Sequence, residues 1–389
     1  MGCNVRHVPL GDLVTMTSGG TPDKKNQDYW NGDIPWISAK TLKGDYVISS
    51  DLFITEEGLD SSAAKLAPIG SLLLLTRGSG LFKRIPLALV VREAAYNQDI
   101  KCLASKRADI SNNYIFYALK ALEPSINGML ETTGIGAGKL STDLLEQLPI
   151  PVLDETERIK VVSFLNVLTN KLALNTRING YLFDLAVAQF NEALRYDSEE
   201  VKLGGIVEFE DSKRIPLNSR DRADRQGPYP YYGAASVMDY VDDYIFDGPR
   251  ILLGEDGTVV TGDGHPVLQY VWGKYWVNNH AHVLRPSGAF SLESIYMALS
   301  IASVSELVTG AVQPKINQRN LGNLSMLMPA PDSLGFLKPI FSNYRTRIEE
   351  NRRLDNLRNA LLPKLMSGEI DVSEIELPTP PNSHLPAHR

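Results

Sequence analysis

Two long stretches of the chain place an apolar residue every three or four positions, and the segments around them do not. From about Asp154 to Arg195 there is no Pro and a single Gly. Val161, Leu165, Leu168, Leu172, Ile178, Leu182 and Leu185 recur close to the helical period there. Asp154-Glu155 supplies acidic residues for a first turn. The pattern predicts a helix of about 40 residues, on the order of 60 Å long, too long for an ordinary domain helix and suited to a coiled-coil strut. A second striped stretch runs from about Leu334 to Met366, through Phe341, Tyr344, Ile348, Asn351, Leu354, Leu361 and Leu365.

Elsewhere short apolar runs alternate with Gly, Pro, Asn and Asp. Ile34–Ile37, Ser71–Leu75, Leu87–Val91 and Asp99–Leu103 read as strands, and Asn112–Leu122 as a helix with Ile115, Leu119 and Leu122 on one face. Arg250–Leu253, Val267–Trp272 and His282–Arg285 read as strands of a later mixed segment. Each mixed segment closes on a Pro-containing extended run, Leu148–Val152 and Leu327–Pro331, because Pro pushes its predecessor out of the helical basin.

The plan is therefore written twice. A shift of 176 residues places Lys139 on Lys315, Leu145 on Leu321, Leu172 on Ile348, Asn175 on Asn351, Ile178 on Leu354 and Leu185 on Leu361. Tyr114–Leu119 matches Ser294–Leu299 at 180, and Leu10-Gly11 matches Leu203-Gly204 at 193. The helical end keeps its register while the front differs in length and sequence. Asn175 and Asn351 are expected as paired polar contacts that fix the register of a two-helix seam; two exposed asparagines matched by chance are the alternative. The predicted organisation is a first mixed domain at 1–152, a central long helix at 153–198, a second mixed domain at 199–331, a second long helix at 332–372 and a disordered Pro-rich tail at 373–389.

The fold class is α+β: two mixed α/β domains joined by two long antiparallel coiled-coil helices in a pseudo-two-fold repeat. No run approaches the roughly 18 apolar residues of a membrane span, and no secretory signal is visible, so a cytoplasmic protein without membrane contact is expected. Met1-Gly2-Cys3 begins a lipidation pattern whose Ser or Thr is missing. Two cysteines, Cys3 and Cys102, argue against a disulfide framework. The net charge of −7 counts against a purely electrostatic nucleic-acid binder, although local basic patches remain compatible with it.

With this order of elements, the motifs S-G-G-T-P at 18–22, Y-W-N-G-D-I-P-W-I-S at 29–38 and T-R-G-S at 76–79 resemble the specificity (S) subunit of type I restriction–modification systems. The second half adds Y-P-Y-Y-G-A at 229–234, I-L-L-G-E-D-G at 251–257, N-N-H-A-H-V-L at 278–284 and G-A-V-Q-P-K-I at 310–316. The resemblance spans residues 8 to about 370. It implies that each mixed segment is a target recognition domain reading one half of a bipartite, asymmetric site on double-stranded DNA. The two helices would be an antiparallel spacer. Two modification (methyltransferase) subunits, and optionally two restriction subunits, would dock on the chain. S-adenosylmethionine would then belong to the former, ATP and magnesium to the latter, and no cofactor to this chain. Physical reasoning agrees: unlike faces on a pseudo-two-fold scaffold read unlike half-sites, about one helical turn or roughly 34 Å apart.

The DNA-contact candidates follow from residue chemistry. Ser18, Gly19, Gly20 and Thr21 form a turn whose amides and hydroxyls suit a phosphate clamp, with Lys24 and Lys25 adding charge; a purely structural turn is the alternative. Arg77 and Ser79 follow a buried strand and are placed to reach a groove, where Arg reads guanine. Lys40, Lys43, Lys83 and Arg84 are further cations, and Trp30 and Trp36 are read as core. Thr132–Lys139 imitates a phosphate loop but lacks Gly at 133 and Ser or Thr after the Lys. Lys139 and its counterpart Lys315 are therefore read as backbone contacts. Lys213, Arg214, Arg220, Arg222 and Arg225, interleaved with Tyr229, Tyr231 and Tyr232, form the densest basic and aromatic cluster; a solvated loop is the alternative.

His280 and His282 suggest a metal pair but lack a third ligand in sequence, so no metal is expected. Gly254-Glu255-Asp256-Gly257 is read as a recognition loop rather than an acid–base site. No N/D-P-P-Y/F tetrapeptide, F-x-G-x-G or nuclease PD…(D/E)-x-K arrangement is present, so the chain is not expected to be an enzyme. Two other readings stay open: a reader module of a fused methyltransferase or nuclease, against which the missing motifs stand, and a repeat-built protein–protein adaptor, which the acidic charge favours.

Overall fold

The computed structural model describes residues 5–47, 50–134, 136–310 and 313–372. Met1-Gly2-Cys3 and the expected tail from 373 lie outside the described residues, as do Ile135, Ala311 and Val312 of the two glycine-bearing loops. The chain divides into two compact units, Met1–Ala173 with Asn351–Arg389, and Leu174–Glu350. Both long helices form, Glu155–Tyr196 with 42 residues and Leu337–Met366 with 30. At 1.5 Å per residue the first is about 63 Å long. The expected boundaries follow secondary structure; contacts divide each helix instead, because its two ends pack into different cores.

In the first unit a five-stranded sheet has the order Val14–Ser18, Ile100–Ser105, Leu72–Leu75, Leu87–Val90, Tyr46–Val47. All four leucines of Leu72–Leu75 are fully buried, as a strand covered on both faces requires. A four-stranded sheet, Phe53–Ile54, Trp30–Ile37, Ala94–Tyr96 and Lys65–Ala67, lies beside it in the fold. Arg6–Pro9 pairs antiparallel with Pro149–Val152, closing the chain's entry against its exit from the mixed segment. The helix Asn112–Ala121 starts at Ser111, whose hydroxyl accepts from the Tyr114 amide, and buries Ile115, Ala118 and Leu119.

Asp154 caps the first long helix by accepting from the Glu157 amide at 2.9 Å. That helix then brings Val161 and Leu165 into the same core as Leu362, Leu365 and Met366 near the end of the second. Further along the first helix, Leu172 offers its carbonyl to Asn351 Nδ2 at 3.4 Å. Advancing along one helix thus retreats along the other, and the pair is antiparallel.

The second unit repeats the sheets. Val207–Phe209, Ala281–Pro286, Arg250–Gly254 and Leu268–Val271 form one; Val237–Val241, Gln226–Tyr232, Lys274–Val277 and Phe246–Asp247 form the other. Ser198–Lys202 pairs antiparallel with Ser325–Pro329, and the helix Leu292–Ile301 is capped by Ser291 as its counterpart is by Ser111. In both units the second sheet contains one parallel pair, Trp36 beside Ala95 and Tyr231 beside Trp276.

Here too the long helices run antiparallel. Asn175 donates to Glu350 Oε2 at 2.7 Å, Asn179 to the Tyr344 carbonyl at 3.4 Å, and Ala186 and Phe190 share a core with Leu337 and Phe341. The seam follows the expected stripe at Leu165, Leu168, Leu172 and Asn175, all buried, with Ile178, Tyr344, Ile348, Asn351, Leu354 and Leu361 half-buried. Asn175 and Asn351 both act across the seam, Asn175 donating to Glu350 and Asn351 to the Leu172 carbonyl. The stripe needs correction at its end. Leu185 is 45% exposed, while Ala186 and Phe190 are fully buried. Leu165, Leu172, Asn179 and Ala186 are all buried at a spacing of seven residues, and Leu185 lies one residue off that row, so it faces away from the seam.

Candidate nucleic-acid interface

In the first unit the buried strand Leu72–Leu75 delivers its chain to a ridge built from three loops. The Thr76 amide donates to the Asp99 carbonyl at 2.8 Å, and the Leu140 amide donates to the Thr76 carbonyl at 2.8 Å. Arg77-Gly78 then pairs antiparallel with Gly138-Lys139, with Arg77 directly opposite Lys139. Gly138 allows a close approach there, since a Cβ would lie 3.1 Å from Leu81 Cβ. Like charges directly opposite on an antiparallel pair repel. Lys139 has partial relief from Glu131 at 3.8 Å, but Arg77 is exposed and has no carboxylate within salt-bridge distance among the described residues. A ridge that places two cations side by side is complementary to an anion outside the protein. Ser79 lies beside them, exposed.

The turn at Ser18–Thr21 is structural, which corrects the phosphate-clamp expectation. Gly19 and Gly20 are buried, and the Gly20 amide already donates to the Tyr96 carbonyl. A Cβ on Gly19 would fall 1.9 Å from that carbonyl oxygen, so the glycine serves close backbone packing. Ser18 Oγ accepts from Lys101 at 2.7 Å, and Thr21 donates to Gln98 at 2.7 Å. Lys24, Lys25 and Lys40 remain exposed. Trp36 is buried, its indole donating to the Gly20 carbonyl, as a core residue should be.

The second unit has the same ridge in different chemistry. The Glu255 amide donates to the His280 carbonyl at 2.8 Å, the Ile316 amide to the Glu255 carbonyl at 2.9 Å, and Asp256 bridges to Lys315. Glu255 Oε2 accepts from Arg214 at 2.7 Å and Oε1 lies 3.2 Å from Lys315. Burial pushes the Glu255 carboxyl up, but the hydrogen bond from Arg214, the nearby His282 and Lys315 outweigh it and hold it below the ordinary carboxylate range. Glu210 behaves alike: burial raises it, while Arg250 and Lys213 bring it below its usual value.

The basic cluster of this unit is largely spent internally. Arg214 is 11% exposed and also donates to the Ala281 carbonyl at 2.6 Å. Arg222 holds Asp239 at 3.0 Å and lies over the Tyr231 ring, and Arg225 holds Asp242 at 2.9 Å. Tyr231 and Tyr232 are 1% and 8% exposed. The expectation that Arg214, Arg222, Tyr231 and Tyr232 present a DNA surface is therefore corrected. Their polar groups brace loops and their rings fill the core. Lys213, 58% exposed beside Glu210, Arg220 and Lys315 remain accessible.

His280 and His282 separate because His282 lies within the strand Ala281–Pro286, whereas His280 belongs to the turn that precedes it, its side chain 43% exposed. His282 is buried, with Nδ1 2.6 Å from Asp211 and Nε2 2.9 Å from the Ile316 carbonyl. Asp211, Glu255 and His282 bring ligand atoms within 4.8 Å of one another, the spacing of a cation site. The Arg214 guanidinium already lies among them, 2.7 Å from Glu255 and 3.7 Å from Asp211, and supplies the positive charge. Sequence reading missed this lattice, as well as Lys101 and the Asp256–His280 pair. Only the carboxylates of Gly254–Gly257 and the H-x-H spacing signalled it.

Comparison with known proteins agrees with this architecture. The family model described as the type I restriction modification DNA specificity domain matches residues 4–182 and 196–333. The chain belongs to that family. It is 33% identical over 167 residues to the EcoR124I/EcoR124II specificity subunit of Escherichia coli, covering 42% of this chain and 41% of that one. It is 22% identical to the MjaIX specificity subunit of Methanocaldococcus jannaschii, covering 94% of this chain and 93% of that one. A crystal structure of the S subunit of a type I restriction–modification system from M. genitalium matches its fold with a TM-score of 0.56 at 17% identity, covering 93% of this chain and 96% of that one. The fold is that of the expected class, two mixed α/β recognition domains with long helices. No helix among the described residues is long and apolar enough to cross a membrane.

Proposed function

We propose that this chain reads a bipartite, asymmetric site on double-stranded DNA, one half-site per recognition domain, and carries methyltransferase subunits to it. Restriction subunits join optionally, and catalysis, with S-adenosylmethionine, ATP and magnesium, belongs to those partners in the cytoplasm. The observation that carries the reading is the doubled ridge: two units that share a four-strand order in their main sheets end in loop triads with unlike side chains, Arg77 and Lys139 in one, Asp256, His280 and Lys315 in the other. Unlike readers on one scaffold select unlike half-sites. A reader also leaves the target base free to be extruded into a partner's active site.

The test is selection from a random DNA library by the chain reconstituted with its methyltransferase. The expected product is two short specified blocks around an unread centre. Exchange of residues 1–152 for another family member's domain should change one block only. A single continuous block, or two blocks that change together, would refute the proposal.

A further inference from the structure

The hydrogen-bond pattern of the two ridges puts them in register residue by residue. The amides of Thr76 and Glu255 donate to the carbonyls of Asp99 and His280; the carbonyls of Thr76 and Glu255 accept from Leu140 and Ile316. The amides of Asp99 and His280 bond the side-chain oxygens of Asn97 and Asn278, at 3.2 and 2.8 Å. The amides of those asparagines donate in turn to the carbonyls of Ile37 and Tyr232. Arg77 pairs with Lys139 as Asp256 pairs with Lys315. Arg77 and Asp256 are therefore the same position of the ridge, and Asp99 and His280 are another. None of these matches depends on the sequence offset, which differs between the strands and the loops.

At two of these positions, Arg77 against Asp256 and Asp99 against His280, the chemistry is inverted, while Lys139 and Lys315 stay alike. Arg77 is a pure donor with no carboxylate within salt-bridge distance among the described residues. Asp256 is an acceptor braced on one side only. His280 donates from Nδ1 to Asp256 Oδ1, and the histidine side chain is 43% exposed while the carboxylate is 17% exposed. The second carboxylate oxygen receives no hydrogen bond from the described residues and is not among the buried unpartnered atoms. The neighbouring cation, Lys315, is already drawn to Glu255 at 3.2 Å. A carboxylate braced through one oxygen by His280, with its other oxygen left open, suits one kind of base edge. In the major groove it fits an exocyclic amino group, N4 of cytosine or N6 of adenine, and rejects the guanine O6 and N7 acceptors that an arginine selects.

We infer that Asp256, positioned by His280, determines one base of the half-site read by the second unit, as an acceptor of an exocyclic amino group, at the ridge position from which Arg77 reads the first. This rests on the proposed two-part reading. The experiment compares the sequences selected by the complete complex containing wild-type chain, D256N or R77Q. D256N preserves shape but turns a pure acceptor into a mixed group. It is expected to lower discrimination at a single position of the second block roughly tenfold or more, and to leave the first block unchanged. The preferred base there in wild type, cytosine or adenine, identifies which amino group is read. R77Q is expected to act on the first block alone.

H280A frees the carboxylate without removing it and should produce a smaller loss at the same position as D256N. If D256N fails to assemble, D256E, which moves the acceptor by one methylene, should degrade that position. A wild-type complex that selects two blocks while D256N and D256E keep every base preference overturns this inference alone. D256N and R77Q altering the same block overturns it too. A wild-type complex that selects one continuous block overturns the two-part reading and this inference together.

Discussion

Replacing Glu255 by Gln removes one charge from the lattice that ties three loops of the second unit together. The carboxylate receives Arg214 at 2.7 Å and Lys315 at 3.2 Å, and its side chain is 15% exposed. Removing one partner from a buried ion pair costs about 3–5 kcal/mol. Arg214 keeps the Ala281 carbonyl at 2.6 Å and Asp211 at 3.7 Å, and Gln can still accept one hydrogen bond. These remaining bonds bring the cost below that range, to about 2–3 kcal/mol, or roughly 30- to 150-fold in local opening. Hydrogen exchange reads this directly at the Gly257 amide, bonded to the Pro314 carbonyl at 3.0 Å, and at the Ile316 amide, bonded to the Glu255 carbonyl at 2.9 Å. Strand Leu72–Leu75 of the first unit is the internal control.

The pH dependence has a definite sign. The folded-state carboxyl lies below its ordinary value of 4.5, so its stabilisation is complete above that pH and disappears as pH falls through the folded value. The gap between wild type and E255Q should therefore stay constant from neutral pH down to about 5 and close in stronger acid. A change of protection below threefold at neutral pH, or a gap that persists in acid, would refute the claim that Glu255 carries the loops.

Three further outcomes are expected. Phe190→Ala empties a fully buried site between the long helices of the second unit and should lower its unfolding free energy by about 3–5 kcal/mol in denaturant titration; under 1 kcal/mol would mean the helix end is not part of that core. Gly19→Ala drives a Cβ into the Tyr96 carbonyl and should leave the first unit protease-sensitive; wild-type resistance would contradict the structural reading of that turn. Lys139→Ala should weaken DNA binding by the complex equally on all sequences and reduce the slope of log affinity against log salt by about 1; a sequence-selective loss would make Lys139 a base reader instead.

Periodicity made the long helices legible, because helices of 42 and 30 residues that each bury one face must declare it in sequence. The strand Leu72–Leu75 was equally plain, since a strand covered on both faces is apolar throughout. What could not be read was which cations are free. Arg214, Arg222 and Arg225 sit near Asp211, Asp221 and Asp224 in sequence, yet Arg222 and Arg225 close on Asp239 and Asp242, and Arg214 makes its shortest ion pair with Glu255 rather than Asp211. Those partners come from strands and loops 17 to 41 residues away. Charge composition is local, whereas neutralisation is tertiary. Tyr231 misled for a related reason. A Tyr beside basic residues looks like a stacking surface until the sheet register turns it inward, where its hydroxyl meets the Leu217 backbone.

The same internal pairing bears on how an acidic chain reads DNA. Arg214, Arg222, Arg225 and Arg250 each meet a carboxylate within the second unit, so they add little attraction for phosphate at long range. They hold loops in one conformation, and a loop that is rigid before contact loses less entropy on binding. The net charge of −7 is then what a discriminating rather than a gripping subunit should have. Under the proposed function, affinity comes chiefly from the partners' contacts with the backbone, while this chain supplies the difference between right and wrong sequences. The ridge in the first unit is the exception that fits the rule. Its Arg77–Lys139 repulsion, only partly relieved by Glu131, is tolerable in the free chain because both side chains reach solvent, and under the proposed function it turns into attraction when phosphate or a guanine edge arrives.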